Sequence, residues 1–140
     1  MNVASKETIP NGAKHEEVGM HGLSWVYHFF RAFGYSIKGL RACFRDETAF
    51  RQECMLAIPH FIGLLALPLE TWVRVYLVLL WVILIVAELL NTAIEAVVNL
   101  VSPDYHPLAG KAKDCGSAAV FCILILFFLS WGWVIYGLLK

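Results

Sequence analysis

The apolar positions divide this chain into a polar beginning, one amphipathic segment and three long apolar segments. Residues 1–21 are mainly polar, so a mobile tail is expected there. From Leu23 to Phe44 the apolar residues recur every three or four positions, which is the spacing of one face of an α-helix. Basic residues lie off that face. The pattern predicts an amphipathic helix over 23–45 that lies on a membrane surface.

The three apolar segments that follow are each long enough to cross a bilayer, which takes about 20 helical residues. They cover about 48–69, 72–101 and 109–139. Pro59 and Pro68 could kink or end the first span, and a neutral His60 bonded to the backbone is expected within it. The pattern therefore predicts an all-α integral membrane protein, with residues 22–140 forming one membrane-embedded domain.

Composition and charge support a membrane protein and indicate its orientation. Apolar residues make up 59% of the chain, and eleven basic residues balance eleven acidic ones, so no basic field for nucleic acid is present. The four cysteines form no CxxC pair, which disfavours a zinc site. Nine of the eleven lysines and arginines lie either within residues 1–53 or at Lys111 and Lys113, next to the loop between the second and third spans. The positive-inside rule then predicts a cytoplasmic amino terminus and an external carboxyl terminus.

A polar stripe at the end of the second span is the main candidate for function. Five polar residues fall within an arc of roughly 100° on a helix. They are Glu88, Asn91, Thr92, Glu95 and Asn99. Ionisable groups at such a position are costly unless they line a wet or protein-enclosed cavity, which makes them functional candidates. The alternative is a stripe that only joins helices together.

Other polar groups are predicted to lie at the same depth as the stripe. They are Asp46, Glu47, Arg51, Asp104, His106, Lys111, Lys113 and Asp114. Carboxylates without thiols favour Mg²⁺, and lysines favour phosphate. These are the parts that phosphoryl transfer needs, although ion-translocating proteins also bury carboxylates. The chain has no GxxxxGK[ST] motif, so a P-loop enzyme is excluded.

Several motifs in the chain resemble the prokaryotic diacylglycerol kinase family of small membrane enzymes with three spans. The most specific is Glu88-Leu-Leu-Asn-Thr-Ala-Ile-Glu-Ala-Val-Val98. The others are Gly34-Tyr-Ser36, Lys38-Gly-Leu-Arg-Ala42, Glu47-Thr-Ala-Phe-Arg-Gln-Glu53, Tyr105-His106, Ala112-Lys-Asp114 and Gly116-Ser-Ala-Ala-Val120. The resemblance runs from about Phe29 to the end of the third span. His28, Ile37 and Asn99 depart from the residues usual in the family, an arginine, a tryptophan and an aspartate respectively.

This resemblance implies an activity and a role for each matching residue. The expected enzyme is a homotrimer with shared active sites in the bacterial inner membrane, and it transfers the γ-phosphoryl group of ATP to a lipid hydroxyl with Mg²⁺. Glu88 would be the general base and Asn91 would organise it, while Glu47 and Glu95 would hold the metal. Nucleotide contacts are expected from Tyr35, Glu47, Glu95, Asp104, Tyr105, His106, Lys113 and Asp114. Lipid contacts are expected from Arg51, Glu53, Glu88 and Ser117.

Some alternatives stay open at the level of sequence. The motifs favour 1,2-diacylglycerol as acceptor over undecaprenol, but a hydroxyl on a long apolar tail satisfies both. A non-enzymatic ion-conducting or structural oligomer would also explain buried carboxylates. For single residues, Tyr35 could be an interfacial aromatic, Asp104 could cap the third span, and Arg51 could pair with Glu47.

Overall fold

Four helices make up the described part of the chain. In the computed structural model, the backbone is described for residues 13–140 and the side chains from Ser24 onward. The helices are α1 (Ala13–Asp46), α2 (Thr48–Ala66), α3 (Thr71–Val101) and α4 (Pro107–Leu138). Residues 13–140 contain no strand. The all-α prediction is therefore confirmed.

The first helix begins ten residues earlier than its apolar pattern predicted, at Ala13 instead of 23. Alanine, lysine and glutamate are good helix formers, and they extend a helix without an apolar stripe. Gly34 and Gly39 do not interrupt it. The predicted tail over 1–21 therefore overlaps the helix from residue 13, and residues 1–12 lie outside the described part.

The chain divides into two compact units, and the single membrane-embedded domain expected over 22–140 stays a prediction. The two units are Met1–Arg41 and Ala42–Lys140, and the division falls within α1. In the first unit, the described side chains include exposed aromatic rings such as Trp25, Phe29 and Phe33. Helices α2, α3 and α4 belong to the second unit, in which α3 packs against both of the others.

Helix α2 ends three residues before the predicted boundary because of Pro68. The residue before a proline is restricted to extended conformations, and Leu67 has φ −89° and ψ 146°. The guanidinium of Arg74 donates hydrogen bonds to the carbonyls of Leu64, Leu67 and Leu69. It thereby satisfies carbonyls at the carboxyl end of α2 that have no partner within the helix. Pro59 lies inside α2 without ending it.

Of the described helices, α3 and α4 are long and apolar enough to cross a membrane. Much of the apolar surface of α4 is exposed, including Phe121, Phe128 and Leu129, so α4 is not the core helix of a soluble protein. Helix α2 does not meet the same criterion. Its first two turns carry Arg51, Gln52 and Glu53, which lower its hydropathy.

The core of the second unit lies along α3. Leu77, Leu80 and Leu84 are buried at intervals of three and four residues, and Phe127 of α4 is buried as well. The prediction that His60 bonds to the backbone was wrong. Its Nδ1 accepts a hydrogen bond of 3.1 Å from Nε1 of Trp131. The donor is a side chain here because the Trp131 ring of α4 lies against Gly63 of α2. A Cβ on Gly63 would lie 2.7 Å from the Trp131 ring.

Cavities at the two ends of the second unit show how its helices run. One, of about 550 Å³, is lined by Leu69, Trp72 and Leu138, so the end of α2, the start of α3 and the end of α4 meet there. The other brings together the start of α2, the end of α3 and the start of α4. Consecutive helices therefore run antiparallel to each other. The polar stripe lies at the end where α2 and α4 begin and α3 ends.

Candidate active site

The most polar part of α3 is also one of its most buried parts. Glu88 and Asn91 lie one turn apart, and Glu88 is only 3% exposed. Glu95 follows one turn later and is half-buried. The Nδ2 atom of Asn91 donates a hydrogen bond of 3.2 Å to Oε1 of Glu95. This bond holds Glu95 in place and leaves its second carboxylate oxygen available.

Gly116 of α4 allows the Asn91 amide to occupy this position. A Cβ on Gly116 would lie 2.2 Å from Oδ1 of Asn91, which is far inside van der Waals contact. Oδ1 is buried and has no hydrogen-bond partner among the described residues. Gly116 therefore permits close approach between α4 and the Asn91 side chain of α3. Sequence reasoning did not connect this glycine with the site.

A cavity of about 310 Å³ brings together five of the predicted site residues. They are Glu47, Glu88, Asn91, Glu95 and Ser117, and the rest of the wall is Ala49, Val120, Phe121 and Leu124. One side of the cavity is thus acidic and the other, on α4, is apolar. Such a cavity can take a polar head and an apolar chain at the same time.

Glu47 reaches the cavity because it occupies the break between α1 and α2. It has the N-cap position of α2, but its carboxylate does not cap the helix. Cys43, one turn earlier, lies within reach of the Thr92 hydroxyl and of the Glu47 and Glu88 carboxylates. Burial, and secondly the charge of Glu47, raise the pKa of the Cys43 thiol. The end of α1 therefore packs beside the acidic wall.

The two residues expected to contact lipid from α2 are placed differently. Glu53 is buried, its Oε2 has no hydrogen-bond partner among the described residues, and it lies near enough to Glu88 for their charges to interact. Arg51 does not pair with Glu47. Its guanidinium donates to the carbonyls of Phe44 (3.3 Å) and Arg45 (2.7 Å), and to the Thr48 hydroxyl. Arg51 therefore caps α1, and neither residue lines the cavity.

Lys113 and Asp114 of α4 also lie outside the cavity wall. Nζ of Lys113 donates a hydrogen bond of 2.7 Å to Oδ1 of Asn99 near the end of α3. Asp114 is exposed. The sequence pattern had placed Asn99 on the polar stripe but had given it no role. Its spacing of four residues from Glu95 is what could have indicated that it lies near the site.

The remaining predicted residues lie on exposed surfaces. Tyr105 is 91% exposed and Asp104 is exposed beside it. Asp104 does not cap α4; instead Nδ1 of His106 accepts a hydrogen bond of 3.2 Å from the Leu108 amide. Tyr35 belongs to the first unit, where the charged groups of Arg31 and Lys38 lie 5.7 and 5.8 Å from its ring centroid.

The donor set of the cavity suits a magnesium ion that is shared with phosphate groups. No group of three or more histidine, cysteine, aspartate or glutamate side chains within the described residues is placed to hold a metal alone. Magnesium is commonly bound through one or two carboxylates, with phosphates and water completing its octahedron. Glu47 and Glu95 can supply those carboxylates, because neither is committed to an ion pair among the described side chains.

Comparison with known proteins shows the family. Residues 34–135 match the family model for prokaryotic diacylglycerol kinase. The chain belongs to the prokaryotic diacylglycerol kinase family. The earlier resemblance is thereby confirmed, and the matched range of this family member contains every residue predicted for the site, from Tyr35 to Ser117.

Several relatives named diacylglycerol kinase are similar to this protein over most of its length. The one from Haemophilus influenzae is 37% identical over 123 residues, 84% of this chain and 99% of that protein. The one from Escherichia coli K12 is 42% identical over 101 residues, 72% of this chain and 83% of that protein. The one from Pseudomonas aeruginosa is 36% identical over 116 residues, which cover 83% of this chain and 94% of that protein. Together with its apolar helices, this membership makes the chain a membrane protein.

Proposed function

We propose that this protein is an ATP-dependent diacylglycerol kinase that produces phosphatidic acid and ADP. The single observation that carries the proposal is the acidic cavity, in which a buried Glu88 shares one space with Glu47, Asn91 and Glu95. The relatives support the acceptor, since those compared above are all named diacylglycerol kinase. An ion-conducting or purely structural role would explain buried carboxylates, but it does not account for the match to relatives named diacylglycerol kinase.

Glu88 is the proposed general base. Its carboxylate takes the proton of the lipid hydroxyl while the hydroxyl oxygen forms a bond to the γ-phosphorus and the bond from that phosphorus to ADP breaks. Burial keeps water from competing for the phosphoryl group. Asn91 supports the reaction by holding Glu95 one turn beyond the base.

Glu47 and Glu95 are the proposed ligands of Mg²⁺. When bound, the ion offsets the negative charge of the transferring phosphoryl group. Glu47 approaches from the α1–α2 break and Glu95 from α3, so the two carboxylates come from different elements and line one cavity. Glu95 has one oxygen engaged by Asn91 and one left for the metal.

We place the nucleotide at the end of α3 and the start of α4. Lys113 supplies a positive charge there, and Asp114 and the loop residues Asp104, Tyr105 and His106 are proposed to contact the nucleotide. Tyr35 belongs to the first unit, and its expected contact with the nucleotide stays a prediction. Lys113 forms no ion pair among the described side chains, so its charge is available to phosphate.

The lipid is proposed to enter across the apolar wall of α4. Ser117 lines the cavity on this side and can contact the acceptor head. Glu53 lies near enough to Glu88 for their charges to interact, and it is proposed to influence the acceptor through that carboxylate. Arg51, as the cap of α1, holds the break that carries Glu47, so its proposed effect on lipid binding is indirect.

The membrane placement follows from the distribution of apolar and basic residues. We propose three spans in the bacterial inner membrane, with α1 on the cytoplasmic surface and the active site facing the cytoplasm, where ATP is present. Helix α2 has 19 residues and reaches roughly 28 Å, close to the hydrocarbon thickness. The exposed apolar faces of α2, α3 and α4 support burial against lipid and other copies, and we propose a homotrimer with shared sites.

A phosphate-transfer assay tests the proposed function. Purified protein in mixed micelles receives labelled ATP, Mg²⁺ and either dioleoylglycerol or undecaprenol. Label in phosphatidic acid is expected. Label in undecaprenyl phosphate alone would change the proposed acceptor but keep the mechanism. Label in neither lipid, from a folded protein, would refute the proposed kinase function.

A further inference from the structure

The hydrogen bond between Asn99 and Lys113 joins two helices at the edge of the proposed site. Asn99 lies in the last turn of α3 and Lys113 in the second turn of α4, and their Oδ1 and Nζ atoms are 2.7 Å apart. A free lysine side chain has many rotamers. A short bond to the ammonium selects the rotamers that point toward α3.

Helical spacing places this bond directly beyond the cavity. Asn99 is four residues after Glu95, and Lys113 is four residues before Ser117; both Glu95 and Ser117 line the cavity. Four residues correspond to one turn, or about 6 Å along a helix. The Lys113 ammonium therefore lies about one turn from the carboxylate proposed to hold the metal.

The partner of Lys113 is neutral. An ammonium group has three donors, and the Asn99 carbonyl oxygen takes one of them. No carboxylate among the described side chains forms an ion pair with Lys113. The amide thus orients the ammonium and leaves its charge uncancelled, which a carboxylate at position 99 would not do.

We propose that Asn99 is a positioning residue that presents the Lys113 ammonium to the phosphate groups of MgATP. The proposal rests on the proposed kinase function. Asn99 itself need not touch the nucleotide; it acts through Lys113. The consequence is that position 99 sets the affinity for the nucleoside triphosphate and leaves proton removal by Glu88 unaffected.

Substitutions at position 99 of the full-length protein in mixed micelles test this proposal. Asn99→Asp should raise the KM for MgATP about five-fold, because an exposed ion pair with Lys113 competes with phosphate. Asn99→Ala should raise it less, and both variants should keep kcat and the KM for diacylglycerol. Gln52→Glu is the matched control, since it adds the same charge to an exposed position on α2.

A double-mutant cycle separates positioning from a general structural effect. In a Lys113→Gln background, Asn99→Asp should no longer change the KM for MgATP. An equal effect in both backgrounds, or no effect on KM in either, would overturn the proposal while leaving the kinase intact. Binding of inorganic triphosphate, measured by calorimetry, gives the same comparison without turnover. Unchanged affinity in Asn99→Asp would overturn the proposal even if no kinase activity were found.

Discussion

The amide of Asn91 occupies the space that a side chain at position 116 would need. A Cβ at Gly116 would lie 2.2 Å from Oδ1 of Asn91, and the same amide donates to Glu95. The packing of α3 against α4 and the geometry of the acidic wall are therefore one feature. A change on α4 that never touches substrate should disturb the carboxylate proposed to hold the metal.

Gly116→Ala should lower kinase activity about 100-fold, since displacing a catalytic group by about 1 Å costs that much. It should also destabilise the fold by about 1–3 kcal/mol through overpacking. The measurement is turnover together with unfolding in mixed micelles. Gly132→Ala on the same helix is the matched control, because a Cβ there meets nothing within 4 Å. Equal activity in the two variants would show that the space at Gly116 does not matter for the position of Asn91 and Glu95.

Glu95→Gln should raise the Mg²⁺ concentration needed for half-maximal activity about ten-fold or more, because it removes a ligand charge and keeps the side-chain shape. The test is a magnesium titration at saturating ATP. Glu70→Gln, at the exposed start of α3 far from the cavity, should leave the titration unchanged. An unaltered magnesium requirement in Glu95→Gln would remove this residue from the metal site.

The Cys43 thiol should react slowly with alkylating reagents at neutral pH. Alkylation needs the thiolate, and burial together with the charge of Glu47 raises the pKa of this thiol. In a variant whose other three cysteines are alanine, the pH midpoint of alkylation should lie above that of a free thiol. Glu47→Gln removes a negative charge, so it should move the midpoint down and speed the reaction at pH 7. A midpoint that does not move would mean that Glu47 points away from Cys43.

Trp131→Phe should destabilise the protein by about 1 kcal/mol and leave activity unchanged. The phenyl ring preserves most of the packing, but the bond from Nε1 to His60 is lost and the buried Nδ1 has no donor. Unfolding by denaturing detergent measures the effect. Trp133→Phe, at a ring that is 76% exposed, is the control. Equal stability of the two variants would show that the His60 bond contributes nothing.

Much of the fold could be predicted from the sequence because helical periodicity and apolar length are local properties. The polar stripe placed Glu88, Asn91 and Glu95 on one face of α3, and in the structure all three line one cavity. The early start of α1 was missed because residues 13–22 carry no apolar stripe from which a helix could be predicted. The sequence also cannot show which groups meet across helices.

The contacts between helices account for most of the differences at the site. Gly116 against Asn91 and Lys113 bound to Asn99 each join residues from α3 and α4, and helical periodicity contains no information about such pairs. The same holds for Arg51. Its positive charge suggested an ion pair with Glu47, whereas in the structure its guanidinium donates to the carbonyls at the end of α1.

The role of Glu88 as general base is tested by the turnover of Glu88→Gln, compared with Glu70→Gln, in the diacylglycerol assay. Glutamine keeps the size of the side chain and cannot accept the hydroxyl proton, so kcat should fall about 10²–10⁴-fold with the fold retained. The Glu70 variant should keep full activity. Wild-type turnover in a folded Glu88→Gln protein would contradict the assignment of Glu88 as the base.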